Sequence, residues 1–90
     1  MMTLTFEAAQ SVRDGVIDAV AALDNALCDA LRSLSPTDYA ALKRSVARAI
    51  SVIFEELHDP AIQSCPELKA GEADWTSIAQ AQAAKRASPR

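Results

Sequence analysis

The chain has 90 residues, a length typical of one domain, and 50% of them are apolar. Two glycines, four prolines and 23% charged residues exclude collagen-like, low-complexity and wholly disordered chains. Two cysteines exclude a disulfide scaffold, and no apolar run is long enough for a transmembrane span. Since no basic and apolar leader opens the sequence, we expect a small, mostly helical cytoplasmic protein.

The net charge of −3 arises near the start of the chain. Residues 1–35 carry five acidic side chains against two basic ones, and the remainder is balanced. Proteins that bind nucleic acid generally carry a basic excess, because neutralising phosphate groups supplies much of their affinity. The charge balance therefore disfavours nucleic acid as a partner.

A first helix is predicted over residues 5–34. Thr3 or Thr5 is suited to cap its start, and Glu7 lies where the helix dipole favours a negative charge. Large apolar residues then recur every three or four positions, a period that fits a helix and not a strand. They are Val12, Val16, Val20, Leu23, Leu27, Leu31 and Leu34.

A second helix is predicted over residues 36–58, with Ser35 as N-cap and Pro36 at the first helical position. Its apolar residues repeat with the same period and are Tyr39, Leu42, Val46, Ile50, Ile53 and Leu57. Pro60 predicts its end, because proline disfavours the helical conformation in the residue before it. The very short link between the two helices predicts an antiparallel hairpin.

Residues 59–72 contain two prolines and a glycine, so they are predicted to form a connector. We expect it to be ordered, since Ile62, Cys65 and Leu68 can dock on the helices. A short, weakly held third helix is predicted over residues 73–86, followed by a disordered end at residues 87–90.

These elements predict an all-α fold, a long antiparallel helical hairpin with a weak third helix. A hairpin alone buries one face of each helix, so its core would be only one layer thick. A second copy of the chain would complete a four-helix bundle, and the prediction is therefore a homodimer. A monomer closed by the third helix remains the alternative.

The candidate interface lies on the first helix and comprises Val16, Val20, Leu23 and Leu27. Arg13 and Asp24 flank this apolar stripe on the same side. If two copies of the helix crossed antiparallel near residues 18–19, Arg13 of one would meet Asp24 of the other. The alternative is that both are solvated charges.

Two further features are candidate partner surfaces. Arg44 and Arg48 point outward and could dock an acidic partner, although a solvated helix face has the same pattern. Trp75 could pin the third helix to the bundle, or it could anchor another protein.

The remaining chemical groups predict no catalytic, cofactor-binding or metal-binding residue. Glu55 and His58 have the Glu-x-x-His spacing of di-iron bundles, but Glu55 lies opposite the apolar stripe and a ligand must point inward. Cys28 lies at the edge of the first helix's stripe and is expected to be a small buried apolar side chain. Cys65 has no neighbouring base that would make it a nucleophile.

The sequence thus predicts a non-enzymatic helical interaction protein, an adaptor, regulator or chaperone-like module without a cofactor. We expect it to form a homodimer and not to attach to a membrane. An unidentified protein could be a further partner. One alternative is a small-molecule binder or enzyme whose site at the dimer interface uses Arg13, Asp24 and Lys43. Another is a nucleic-acid accessory protein.

Overall fold

A computed structural model describes residues 3–87 of the chain. Helices account for 87% of these residues, and no strand occurs among them, so the predicted all-α class is confirmed. The helices are α1 (Phe6–Leu31), α2 (Pro36–Ile53), α3 (Asp59–Ser64) and α4 (Glu72–Ala87), with a π turn at Phe54–His58 and a 3-10 turn at Pro66–Leu68. Within residues 3–87, no helix combines the length and apolarity that crossing a membrane requires.

Both long helices begin at the predicted caps. The Ala8 amide donates to Thr5 Oγ1 at 3.2 Å, and the Asp38 amide donates to Ser35 Oγ at 3.1 Å. Each bond satisfies an amide that has no partner inside the helix, which fixes where the helix starts. Helix α1 ends at Leu31, three residues earlier than expected, and a turn leads from it to Ser35.

The predicted end of the second helix at residue 58 is wrong. The helical path continues through the π turn into α3, and Asp59, just before Pro60, keeps helical angles of −62° and −44°. A proline ring in a regular helix clashes with the carbonyl four residues earlier. Here the Asp59 amide bonds to the Phe54 carbonyl five residues back, and the wider turn makes room for the ring.

The segment predicted as a connector supplies much of the core. Ala9 of α1 is buried against Ala61, Cys65 and Leu68, and Leu4, Val12 and Ile62 pack around this cluster. Two bonds fasten the same region: the Leu4 amide donates to Ser64 Oγ at 3.0 Å, and Arg13 Nη1 donates to the Leu68 carbonyl at 3.1 Å. The core therefore lies at the first half of α1, not along the whole hairpin.

The third long helix, α4, matches the predicted short helix, with ends at Glu72 and Ala87. Ala87 was expected in the disordered end and instead closes α4, while residues 88–90 lie outside the described part of the chain. Helices α2 and α4 both pack against α1 but not against each other. The arrangement is therefore open, with a radius of gyration of 14.9 Å against about 12 Å for a compact chain of this length.

Replacing Leu68 by Ala tests where the core lies. Leu68 is 4% exposed, so its truncation should lower the free energy of unfolding by about 2–4 kcal/mol. Leu31→Ala is the matched control, because Leu31 is 52% exposed and its truncation should cost less than about 1 kcal/mol. Urea denaturation followed by circular dichroism at low protein concentration measures both, and equal losses would contradict this core.

Candidate functional site

Helix α2 has an apolar stripe that the chain itself covers only in part. Its 18 residues include none that is buried. The residues of its predicted stripe, which are Tyr39, Leu42, Val46, Ile50 and Ile53, are all half-buried. An amphipathic helix normally buries its apolar stripe against the rest of the fold. The face of α2 is therefore built for packing that one chain does not complete.

The candidate interface residues on α1 differ from one another in burial. Val16 is buried, together with its neighbour Ile17, whereas Val20, Leu23 and Leu27 are only half-buried. The apolar stripe of α1 is thus covered in the first half of the helix, near the core, and partly open in the second half. We call the half-buried stripes of α1 and α2 together the hairpin face.

The total exposed area of the chain also indicates that its surface is incompletely packed. A compact monomer of 9.6 kDa exposes about 5,100 Å², whereas this chain exposes 6360 Å². The excess of about 1,250 Å² is larger than the roughly 800 Å² that a standard interface takes from each partner. The open arrangement of the helices thus leaves more surface exposed than in a compact monomer of this mass.

A groove beside Gly15 opens between α1 and the end of the second helical segment. Its volume is about 260 Å³, and it is lined by Val12, Gly15, Val16, Ala19, Ile53 and Leu57. We call it the Gly15 groove. Sequence reasoning did not predict it, although the small residues Gly15 and Ala19, one helical turn apart, were a signal for close approach of another helix.

The two charges of the predicted dimer contact lie in different surroundings. Arg13 is held within its own chain by the Leu68 carbonyl and by the Asp14 carboxylate at 2.7 Å. Asp24 is exposed and lines a small cleft near Trp75. Neither Arg13 nor Lys43, the other two residues of the predicted interface site, lines this cleft.

The predicted basic surface is present on the outer side of α2. Arg44 and Arg48 are both exposed, and Arg48 Nη2 donates to Ser45 Oγ at 3.2 Å. These side chains lie away from the half-buried stripe, as the helical period requires.

Trp75 fastens α4 to the remainder of the fold. Its ring stacks on Phe54 at a centroid distance of 5.7 Å and an angle of 13°, and it lies 5.9 Å from His58. Phe54 and His58 are themselves 4.8 Å apart, so the three rings form one cluster. Trp75 thus occupies the position that the pinning interpretation requires, and the π turn presents both of its partners.

An ion pair joins the far end of α4 to α1. Arg86 Nη2 lies 2.8 Å from Asp18 Oδ1, and its Nε lies 2.9 Å from Asp18 Oδ2. Beside this pair, α1 and α4 border a cleft of about 460 Å³ whose lining is half alanine and half polar or charged residues. Helix α4 is also half-buried between these two attachments, at Ile78, Ala79 and Gln82.

The two thiols differ in exposure. Cys28 is exposed on α1, so its predicted burial is wrong, whereas Cys65 is buried in the core beside Leu68. Burial, followed by the neighbouring carboxylate of Glu67, raises the pKa of the Cys65 thiol above its ordinary value. Among residues 3–87, no three His, Cys, Asp or Glu side chains are grouped so that they could hold a metal ion.

Comparison with known proteins gives no relative from which to transfer a function. No family model, curated protein or solved structure matches the chain.

Trp75→Ala tests how α4 is attached. Loss of the ring stack should raise amide hydrogen exchange within α4 by more than about tenfold, because a stacked, half-buried aromatic ring contributes well over 1 kcal/mol. Arg86→Ala is the control on the same helix. Its guanidinium is 61% exposed, so solvent screens the ion pair and exchange should rise by less than about fivefold. Equal changes in the two variants would contradict this attachment.

The cysteines should react with a thiol reagent in two phases. At pH 8, one thiol per chain should react at least about tenfold faster than the other, because the raised pKa and burial of Cys65 reduce its reactive thiolate. The slow rate should continue to rise with pH beyond the ordinary cysteine range. Cys28→Ser should remove the fast phase and Cys65→Ser the slow one; the reverse assignment would contradict the burial of Cys65.

Proposed function

We propose that the protein is a non-enzymatic helical interaction module that pairs with a second copy of itself through the hairpin face. The observation that supports this is the stripe of α2, whose apolar residues are regularly spaced but only half-buried within their own chain. The features that the fold gathers here are apolar side chains, which suit the docking of another apolar surface.

A second copy is the occupant that the dimensions favour. The hairpin of α1 and α2 presents one apolar face, and two such faces packed together make a four-helix bundle core. In a two-fold dimer the same face serves both partners, so a single sequence specifies both sides of the interface. The surplus exposed area is larger than what a standard interface would take from each chain.

The outer surfaces of this dimer would remain available to other proteins. The exposed Arg44 and Arg48 lie on the side of α2 away from the hairpin face. In an adaptor or regulator, that basic surface would contact an acidic partner while the hairpin face holds the dimer together. The identity of such a partner is a separate question from the dimer itself.

Ile50→Glu should separate the two chains. In the proposed dimer it buries a carboxylate without a partner on both sides of the interface, so the dissociation constant should rise by at least about 100-fold. Ile50 is only half-buried within one chain, so the variant should keep its helical circular dichroism. Sedimentation equilibrium over a wide concentration range measures the mass, which for the unmodified protein should be twice 9.6 kDa.

Val52→Glu is the matched control for this measurement. It makes the same change from an apolar to an acidic residue on the same helix, at a position that is 54% exposed. Its dissociation constant should stay within about threefold of the unmodified value. A protein that remains monomeric into the hundreds of micromolar, or two variants that dissociate equally, would overturn the proposal.

A further inference from the structure

The Gly15 groove is an apolar hole beside an exposed apolar knob. Val16 is buried at its α1 wall, and Ile53 and Leu57 form the opposite wall. Leu57 is 44% exposed, so part of its side chain lies in solvent beside the groove. A surface that presents a hole and a knob side by side is complementary to a copy of itself turned by a two-fold axis.

Gly15 is not required by the packing of its own chain. A Cβ atom placed on Gly15 would meet no heavy atom within 4 Å, so the space above it is open. Glycine is also among the least favourable residues inside a helix, and α1 carries it in the middle of its 26 residues. The missing side chain also lets another element approach the backbone of α1.

We propose that the Gly15 groove is the place where the second copy docks, with Leu57 of each chain inserted over Gly15 of the other. This inference rests on the dimer of the proposed function and specifies its register. Such a contact requires an apolar lining, open space above Gly15 and an exposed side chain that can enter that space. The groove provides the first two, and the exposed Leu57 is the side chain. Two equivalent insertions related by the two-fold axis would exclude water from the centre of the interface.

Filling the groove tests the proposal. Gly15→Leu should weaken dimerisation at least tenfold in sedimentation equilibrium, because the new side chain occupies the space that Leu57 of the second copy needs. At concentrations where the chain is monomeric, its thermal midpoint should not fall, since the added atoms meet nothing in their own chain. Gly71→Leu is the matched control, because a Cβ there also meets nothing within 4 Å, and its dissociation constant should not change.

A cross-linking measurement identifies the inserted residue. In a background of Cys28→Ser and Cys65→Ala, chains carrying Gly15→Cys are mixed with chains carrying Leu57→Cys and then oxidised. A disulfide-linked pair of the two different chains is expected, and a mixture of Gly71→Cys with Leu57→Cys should give none.

The outcomes separate this inference from the proposed function. If the unmodified protein is a dimer but Gly15→Leu dimerises as tightly and no Gly15–Leu57 cross-link forms, the groove contact is wrong and the dimer stands. If Gly15→Leu weakens the dimer without that cross-link, the insertion of Leu57 is overturned. If the unmodified protein is a monomer, both proposals fall.

Discussion

The packing of residues 61–68 against the first half of α1 is the contact on which the rest of the structure depends. Ala9 and Ala61 have side chains small enough for the two helices to approach closely, and Cys65 and Leu68 fill the space beside them. Arg13 ties the backbone of the 3-10 turn to α1 at the same level. Because the buried apolar side chains are concentrated here, the position of this contact decides which surfaces are left for other purposes.

One consequence is the state of α2. The helical path continues through the π turn at residues 54–58, so α3 reaches the first half of α1, while α2 packs beside α1 with its stripe half-buried. Helix α4 packs on α1 but does not reach α2, so it does not cover that stripe. The hairpin face and the Gly15 groove are thus the parts of the fold where apolar surface is available for a second copy.

The π turn also connects the core to α4. It allows Pro60 to lie in a continuous helical path, and it carries Phe54 and His58, the two rings that hold Trp75. The π turn therefore contributes to two attachments. It leads into α3, which packs on α1, and its Phe54 and His58 hold α4 through Trp75. Disturbing this turn would affect α3 and α4 together, although the two helices lie at different places along α1.

Local patterns predicted much of the helical structure. The caps at Thr5 and Ser35, the three- and four-residue spacing on the two long helices and the short third helix all depend on neighbouring residues, so they can be recognised in a sequence. The end of the second helix was misjudged because the general effect of proline was applied to Pro60. Whether a helix ends there or widens depends on what its continuation can bury, and here that is Ala61 and Cys65 against α1.

By itself, the sequence determined the helical class, the starts of the helices and the presence of two apolar stripes, since each follows from interactions between near neighbours. Only the tertiary structure decided which parts of those stripes are covered. Burial depends on which distant segments pack together, and the decisive contacts join residues about 50–60 positions apart, as between Leu4 and Ser64 or Arg13 and Leu68. The Gly15 groove exists for the same reason: its two walls meet only when the π turn brings Leu57 beside α1.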